Sequence, residues 1–256
     1  MRKIICIANQ KGGVGKTTTA INLSASLAAT ERKTLLIDCD PQGNASNGTG
    51  IDRSVVNEKN LYHSLIGGGP LKDVIVETQI PTLDIIPSNQ DLVGVEVEFV
   101  SLADREKKLR NLLRNLDTPH EFIVIDCPPS LGFLTVNSLV ASDSLIIPLQ
   151  CEYFAMEGLG HLLQTVKIVK ARLNPSLSLG GILLTMFDTR NRLSHRVAED
   201  VRSYFGKKVF KSVIPRNVRL SESPSHGLPI ILYDIKSRGA VSYMELAKEI
   251  LSNGRM

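Results

Sequence analysis

Short apolar runs alternate with stretches of helical periodicity along the chain. The first apolar runs of strand length are Lys3–Ala8 and Thr34–Ile37. Further runs of this kind are Leu83–Ile86, Phe122–Ile125, Leu145–Ile147, Ile182–Leu184 and Val209–Ile214. Apolar residues at helical spacing lie between several of them, as in Leu109–Leu116 and Leu159–Val169. Because strands that alternate with helices form parallel crossovers, the pattern predicts a three-layer α/β fold, a mostly parallel central sheet with helices on both faces.

The chain reads as one domain, residues 1–256. Its 256 residues are 43% hydrophobic, which is enough to bury a sizeable core. The least regular part is Gly43–Pro81, which we interpret as surface helices and loops. No repeat, low-complexity tract or linker interrupts the pattern, and Val241–Leu251 predicts a terminal helix.

The composition and the absence of targeting patterns indicate the cellular compartment of the protein. No apolar run approaches the roughly 18 residues of a membrane-spanning helix, and no signal-peptide pattern precedes the first strand. The four cysteines are far apart and form no CxxC pair. We therefore expect a cytoplasmic protein whose thiols are buried and reduced.

Positive charge is concentrated in one segment. The formal charge of the whole chain is +4, whereas Lys167–Arg219 alone carries +9. Such a segment is typical of a surface that binds a polyanion, and equally of a solvated helix surface with many ion pairs.

The turn after the first strand has the composition of a phosphate-binding loop. It consists of Lys11, Gly12, Gly13, Val14, Gly15, Lys16, Thr17 and Thr18. Glycines let successive backbone N–H groups point at phosphates, and the following helix adds its positive end. In such a loop Lys16 pairs with the β- and γ-phosphates, the Thr17 hydroxyl binds Mg²⁺ and Thr18 donates to the α-phosphate.

This loop departs from the usual phosphate-loop pattern at its beginning. Gln10 stands where a glycine is usual, and a second lysine, Lys11, follows it.

Three aspartates follow predicted strands. Asp38 and Asp40 come after the second strand, and Asp126 closes the apolar run Phe122–Ile125. The carboxyl ends of parallel strands face the ligand crevice of an open sheet. A carboxylate after an apolar strand can hold Mg²⁺ through water, although Asp126 could also merely cap its strand.

The motifs Lys11–Thr18, Asp38–Asn44 and Asp126–Ser130 together resemble the ParA/MinD group of deviant P-loop ATPases. The similarity extends to Thr185–Asp188 and Pro215–Ser223, so it spans nearly the whole chain. Within that group, the segments around the loop and after Pro215 resemble chromosomal ParA proteins, also called Soj.

The resemblance implies roles for individual residues. Lys11 would reach the nucleotide of a second subunit, so that two ATP molecules lie between two copies of the chain, and Lys11, Lys16 and Asp40 would be catalytic. Asp40 would orient the attacking water. Mg²⁺ would be held by Thr17 and, through water, by Asp40 and Asp126, with Asp38 as a further candidate.

Pro215 and Asn217 would line the adenine pocket according to the same resemblance. A proline-terminated strand that leads into a capped helix explains these two residues equally well.

Arg190 and Arg219 match arginines through which such dimers hold double-stranded DNA without sequence preference. Contacts of this type are made to phosphates, and salt weakens them. We therefore favour DNA over a merely solvated surface as the explanation of the basic segment.

Three other functions are weaker explanations. A MinD-like membrane-cycling ATPase for division-site placement needs an amphipathic terminal helix with bulky apolar residues, whereas Glu245–Met256 contains no Phe or Trp. An iron–sulfur ATPase needs exposed ligand cysteines, but Cys6 lies in a strand and Cys127 follows Asp126. With no sequence ahead of the first strand, we do not expect an operator-reading helix-turn-helix domain.

The sequence thus leads us to expect an ATPase switch of chromosome or plasmid partition. ATP and Mg²⁺ would be its ligands, and the ATP-loaded homodimer would bind nucleoid DNA. A ParB-type centromere-binding protein would stimulate hydrolysis and release it, with no membrane partner.

Overall fold

The computed structural model describes residues 2–253, except the side chain of Asn253, and these residues form one eight-stranded sheet. The strands are β1 Lys3–Ile7, β2 Thr34–Asp38, β3 Val76–Glu77, β4 Leu83–Ile86, β5 Phe122–Asp126, β6 Ser144–Gln150, β7 Ser178–Phe187 and β8 Val209–Pro215. Their order is β3-β4-β2-β5-β1-β6-β7-β8, and only β3 runs antiparallel to its neighbour. The predicted parallel sheet is confirmed. The two-residue β3 carries too short a pattern to be recognised in the sequence.

Helices connect these strands. They are α1 Lys16–Ala28, α2 Asn44–Gly48, α3 Arg53–Glu58, α4 Leu61–Leu65, α5 Gly94–Glu98, α6 Lys108–Arg114, α7 Phe133–Ala141, α8 Ala155–Arg172, α9 Arg192–Phe205, α10 Val218–Glu222, α11 Ile230–Tyr233 and α12 Arg238–Asn253. The irregular segment predicted between residues 43 and 81 contains three short α-helices, a 3₁₀ helix at Leu71–Val74 and β3.

The sheet separates two hydrophobic cores because side chains alternate along each strand. In β1, Ile5 and Ile7 face the core formed with α1 and α12, while Cys6 faces the opposite core. That second core contains residues of α4 to α9. The predicted cover of helices on both faces is confirmed.

The last helix of the described chain packs on the body of the protein. Tyr243, Leu246 and Ile250 of α12 are buried in the core shared with α1. The Glu249 carboxylate accepts hydrogen bonds from the backbone N–H groups of Lys211 and Ser212, which covers part of the outer edge of β8. Residues 254–256, the end of the tail considered above, lie outside the described part.

None of the helices described here is both long and apolar enough to cross a membrane.

We predict that Gly181→Ala destabilises the protein. A Cβ atom at Gly181 in β7 would lie 2.4 Å from the ring of Phe210 in β8, so a strand or the ring must shift. Overpacking of this type costs about 1–3 kcal/mol, which urea denaturation would measure. Gly160→Ala is the matched control, because a Cβ atom there meets open space on α8, and we expect it to be neutral or stabilising. Equal stability of both variants would contradict the prediction.

Candidate active site

The loop between β1 and α1 has the backbone that phosphate binding requires. Gly13 and Gly15 have φ angles of +73° and +85°, in the left-handed region that side chains disfavour. Gly15 directly precedes α1, so the loop opens onto the positive N-terminal end of a 13-residue helix.

Neighbouring strands hold this loop in place. The side-chain amide of Asn9 donates to the Pro148 carbonyl at 2.7 Å, and its oxygen accepts from the Lys11 N–H at 3.0 Å. The Thr185 hydroxyl donates to the Val14 carbonyl at 2.9 Å. Bonds to the ends of β6 and β7 therefore preorganise the loop.

Lys16 lies inside the loop. Its side chain is buried, and its ammonium group donates to the Lys11 carbonyl at 3.0 Å. Burial lowers the pKa of Lys16, while the negative charge of Asp126 opposes this effect. The phosphate-binding role of this buried ammonium group stays a prediction.

The pairing of β1, β2 and β5 brings the aspartates beside the loop. Asp38 and Asp126 are partners in the β2–β5 register, and Asp126 is the partner of Ile7 at the end of β1. Asp126 is fully buried, and no donor among the described residues has hydrogen-bond geometry toward either of its carboxylate oxygens. Burial and the nearby Asp38 raise the pKa of Asp126, although the Thr17 hydroxyl partly counters them.

Such an unsatisfied buried carboxylate fits a cation. An Mg²⁺ ion would neutralise Asp126, and the Thr17 hydroxyl is the type of oxygen ligand that it prefers. No group of three His, Cys, Asp or Glu residues in the described chain can hold a metal. The residues present therefore fit an ion whose remaining ligands are phosphate oxygens and water.

Asp38 and Asp40 differ in their surroundings. The carboxylate of Asp38 accepts bonds from the Asp40 N–H and from both the N–H and the hydroxyl of Ser46. Asp38 therefore supports the turn into α2, and burial raises its pKa to about 6. Asp40 uses Oδ1 to accept from the Gln42 N–H at 3.0 Å, and its Oδ2 takes part in no hydrogen bond among the described residues.

A cavity of about 310 Å³ adjoins the phosphate loop. Pro215 and Asn217 line it together with Gly15 and Thr18, so the structure brings the two predicted adenine residues next to the loop. The Asn217 side chain also caps α10 by accepting from the Leu220 N–H. Pro215 and Asn217 thus both line the cavity and lead into a capped helix. Their contact with adenine stays a prediction.

Several residues of this cavity were not singled out as site residues from the sequence, among them Gln150 and Met186. Gln150 is the last residue of β6, and the rule that carboxyl ends of parallel strands face the crevice could have identified it. Met186 belongs to the segment Thr185–Asp188 of the family resemblance, and its φ of +49°, which is strained for a methionine, is visible only in the structure.

The lysine at the head of the loop, Lys11, contacts a residue outside the loop. Its Nζ lies 2.7 Å from Oε2 of Glu152, a residue that follows β6. The side chains of Lys11 and Glu152 are 43% and 49% exposed. Unlike Lys16, Lys11 is therefore accessible to another molecule.

The predicted DNA residues lie in different surroundings. Arg190 is 87% exposed and forms an ion pair with Asp188, whose pKa it lowers. Arg219 is paired with Glu222 and Asp234. A cavity of about 440 Å³ is lined by Arg190, Arg216 and Arg238 together with Pro215 and Asn217 of the adjoining cavity.

The cysteines are unsuited to a shared cluster. All four thiols are free and buried, and Cys6 Sγ lies 3.3 Å from Cys127 Sγ beneath the site. Burial raises the pKa of Cys6 and Cys39. Buried reduced thiols were expected from the sequence, and this arrangement does not support the iron–sulfur alternative.

Comparison with known proteins agrees with this geometry. Residues 2–179 match a family model described as an AAA domain. The chain is 55% identical to the chromosome partitioning protein ParA of Myxococcus xanthus, over 97% of this chain and 88% of that protein. It is 53% identical to the sporulation initiation inhibitor protein Soj of Bacillus subtilis, over 99% of this chain and all of that protein. The chain belongs to the ParA/Soj family of partitioning ATPases.

A solved structure shows the same fold with ligands. The cobyrinic acid a,c-diamide synthase of Mycobacterium smegmatis, solved with ADP and magnesium, has a TM-score of 0.86 at 35% identity and covers 99% of this chain and 97% of its own. This ParA/Soj-family chain is thus an ATPase of the P-loop fold, as the sequence predicted. The roles of its individual residues stay predictions.

We predict that Asp126→Asn stabilises the free protein but reduces the additional stability that nucleotide and Mg²⁺ confer. Removal of the buried, unsatisfied charge should raise the free energy of unfolding by about 1–3 kcal/mol at neutral pH. The increase in Tm on adding ADP with Mg²⁺ should become smaller, because the ion loses an anionic partner. Thermal unfolding with and without EDTA would measure both effects. An Mg²⁺-dependent shift equal to that of the wild type would exclude Asp126 from the ion site.

Proposed function

We propose that this protein is an ATP-driven dimerising switch of DNA partition. Two MgATP-loaded subunits pair, the dimer holds DNA without sequence preference, and hydrolysis releases it. The 55% identical relative named for chromosome partitioning supports this role over that of the 35% identical synthase.

The exposed position of Lys11 is the main observation that supports this proposal. Lys16 already occupies the phosphate loop of its own chain, whereas Lys11 stands exposed at the head of that loop. A second subunit placed over the loop would bring its own Lys11 to this nucleotide. A lysine supplied in this way stabilises the charge that develops on the transferred phosphoryl group, as an arginine finger does.

The remaining residues act within one subunit. The loop N–H groups and Lys16 bind the β- and γ-phosphates, and Thr17 with Asp126 holds Mg²⁺, which neutralises phosphate charge when bound. The free Oδ2 of Asp40 orients the attacking water. Pro215 and Asn217 contact adenine in the cavity that they share with Gly15 and Thr18.

Aromatic residues beside the loop support subunit contact. Tyr153 and Phe154 follow Glu152 directly and are 77% and 65% exposed. Exposed aromatic side chains are enriched at protein interfaces. We therefore place this pair in the dimer interface next to Lys11.

The arginine-lined cavity supports a DNA-binding surface. Arg190, Arg216 and Arg238 line it together with Asp188, the ion-pair partner of Arg190, and Arg219 lies close by along α10. Arginines bind phosphates through paired N–H groups, and such contacts carry no sequence information. Because Pro215 and Asn217 line both cavities, the nucleotide and DNA surfaces share one wall.

Membrane cycling finds less support. Tyr243, Leu246 and Ile250 of α12 are buried against α1 and β8, and Val241 is half exposed, so little apolar surface of this described helix is left for lipid. We propose that the ATP-bound dimer associates with the nucleoid and that a ParB-type centromere-binding protein stimulates its hydrolysis.

We predict that Lys11→Ala abolishes ATP-dependent dimers and lowers turnover at least tenfold. The monomer should still bind nucleotide, because Lys16 and the loop remain. Sedimentation with ATP and a phosphate-release assay would measure the two properties. Normal hydrolysis by Lys11→Ala would disprove the shared lysine.

We predict that Arg190→Glu weakens binding to nonspecific duplex DNA at least tenfold and reduces its dependence on salt, because phosphate contacts are lost. The charge-matched control is Lys33→Glu, an exposed residue directly before β2, at the amino-terminal ends of the strands and so opposite the phosphate loop. DNA cosedimentation at several salt concentrations would compare them. If both variants lose affinity equally, net charge and not this surface governs binding. Arg219→Glu should behave like Arg190→Glu.

A further inference from the structure

We propose that Glu152 is a positioning residue that holds Lys11 in the unpaired subunit and thereby opposes dimerisation. The inference rests on the proposed dimer function, and it adds a residue that restrains the step in which Lys11 crosses to the second subunit.

The ion pair and the shared site compete for the same group. Lys11 has one ammonium group, and Glu152 Oε2 holds it at 2.7 Å within the chain. The Lys11 backbone is fixed at the same time by Asn9, so the side chain pivots from an anchored point. In our inference Lys11 leaves Glu152 when it reaches the phosphates of another subunit, so each subunit breaks this ion pair as the dimer forms.

Glu152 is oriented by its neighbours. Its Oε1 accepts a hydrogen bond from the Gln150 side-chain amide at 2.6 Å, which leaves Oε2 toward Lys11. Its backbone N–H donates to the Gln150 carbonyl, and its carbonyl accepts from the Ala155 N–H where α8 begins. Because Gln150 and these backbone hydrogen bonds already hold Glu152, its side chain loses less entropy when it binds Lys11.

The same residues connect this ion pair to the nucleotide cavity. Gln150, which orients Glu152, also lines the cavity together with Gly15 and Pro215. A base that enters this cavity contacts the residue that supports Glu152. We therefore expect nucleotide binding to loosen the hold on Lys11 before the second subunit arrives.

The size of the effect follows from the exposure of the pair. An ion pair between two half-exposed side chains that is present only in the monomer changes the monomer–dimer equilibrium constant by about threefold. Two such pairs break for each dimer formed, so the dimer dissociation constant should change by about tenfold.

The test is Glu152→Gln in an Asp40→Ala background, chosen to retain ATP during the measurement. Sedimentation velocity across protein concentrations with ATP and Mg²⁺ would measure the dimer dissociation constant. We expect Glu152→Gln to lower it about tenfold and Glu152→Asp, which keeps the charge, to return it toward the background value. The difference should shrink in high salt, because exposed charges are screened.

The matched control is Glu121→Gln. Glu121 pairs with Arg32 at 2.8 Å, and their side chains are 46% and 50% exposed. Both residues lie at the amino-terminal ends of the strands, opposite the phosphate loop. A shift equal to that of Glu121→Gln, or a weaker dimer in Glu152→Gln, would overturn the inference. If the Asp40→Ala background with ATP stays monomeric, the dimer proposal itself fails, and this inference fails with it.

Discussion

Parallel pairing of β1, β2 and β5 is the constraint on which the site depends. It sets the carboxyl ends of three strands side by side, so that Asp38, Asp126 and the phosphate loop meet although they are far apart in the chain. Both sheet faces are covered, so the strands have no freedom to slip: a shift by one residue would exchange the two cores. The packing of all the described strands and helices thus determines the geometry of the loop.

This arrangement places charge where water cannot reach it. Asp38 is satisfied by Ser46 and the Asp40 N–H, whereas Asp126 has no regular partner among the described residues. Burial consequently raises the pKa of both carboxyl groups and lowers that of Lys16. The free protein carries an electrostatic strain that a phosphate–magnesium ligand would relieve, which couples ligand binding to stability.

In our proposal the two lysines of the loop act on the nucleotides of different subunits. Lys16 is buried and committed to its own loop, whereas Lys11 is exposed and engaged only by Glu152. In our proposal the ion pair keeps Lys11 from acting until a second subunit competes for it. Because this pair is half exposed, it can delay assembly without preventing it. The aromatic residues after Glu152 place apolar contact surface at the same position.

The sequence alone determined the layer architecture, seven of the eight strands and the phosphate loop, because apolar periodicity and loop glycines act over a few neighbouring residues. It also singled out Asp40 and Asp126 through the end-of-strand rule. Only the tertiary structure decided which carboxylate is unsatisfied and where Lys11 points. Those properties depend on Ser46, Gln150 and Glu152, whose contacts with the site arise from turns and strand order that no local pattern encodes. Tertiary packing sets the free energies of buried charges, so the chemistry of the individual residues emerges only in the folded chain.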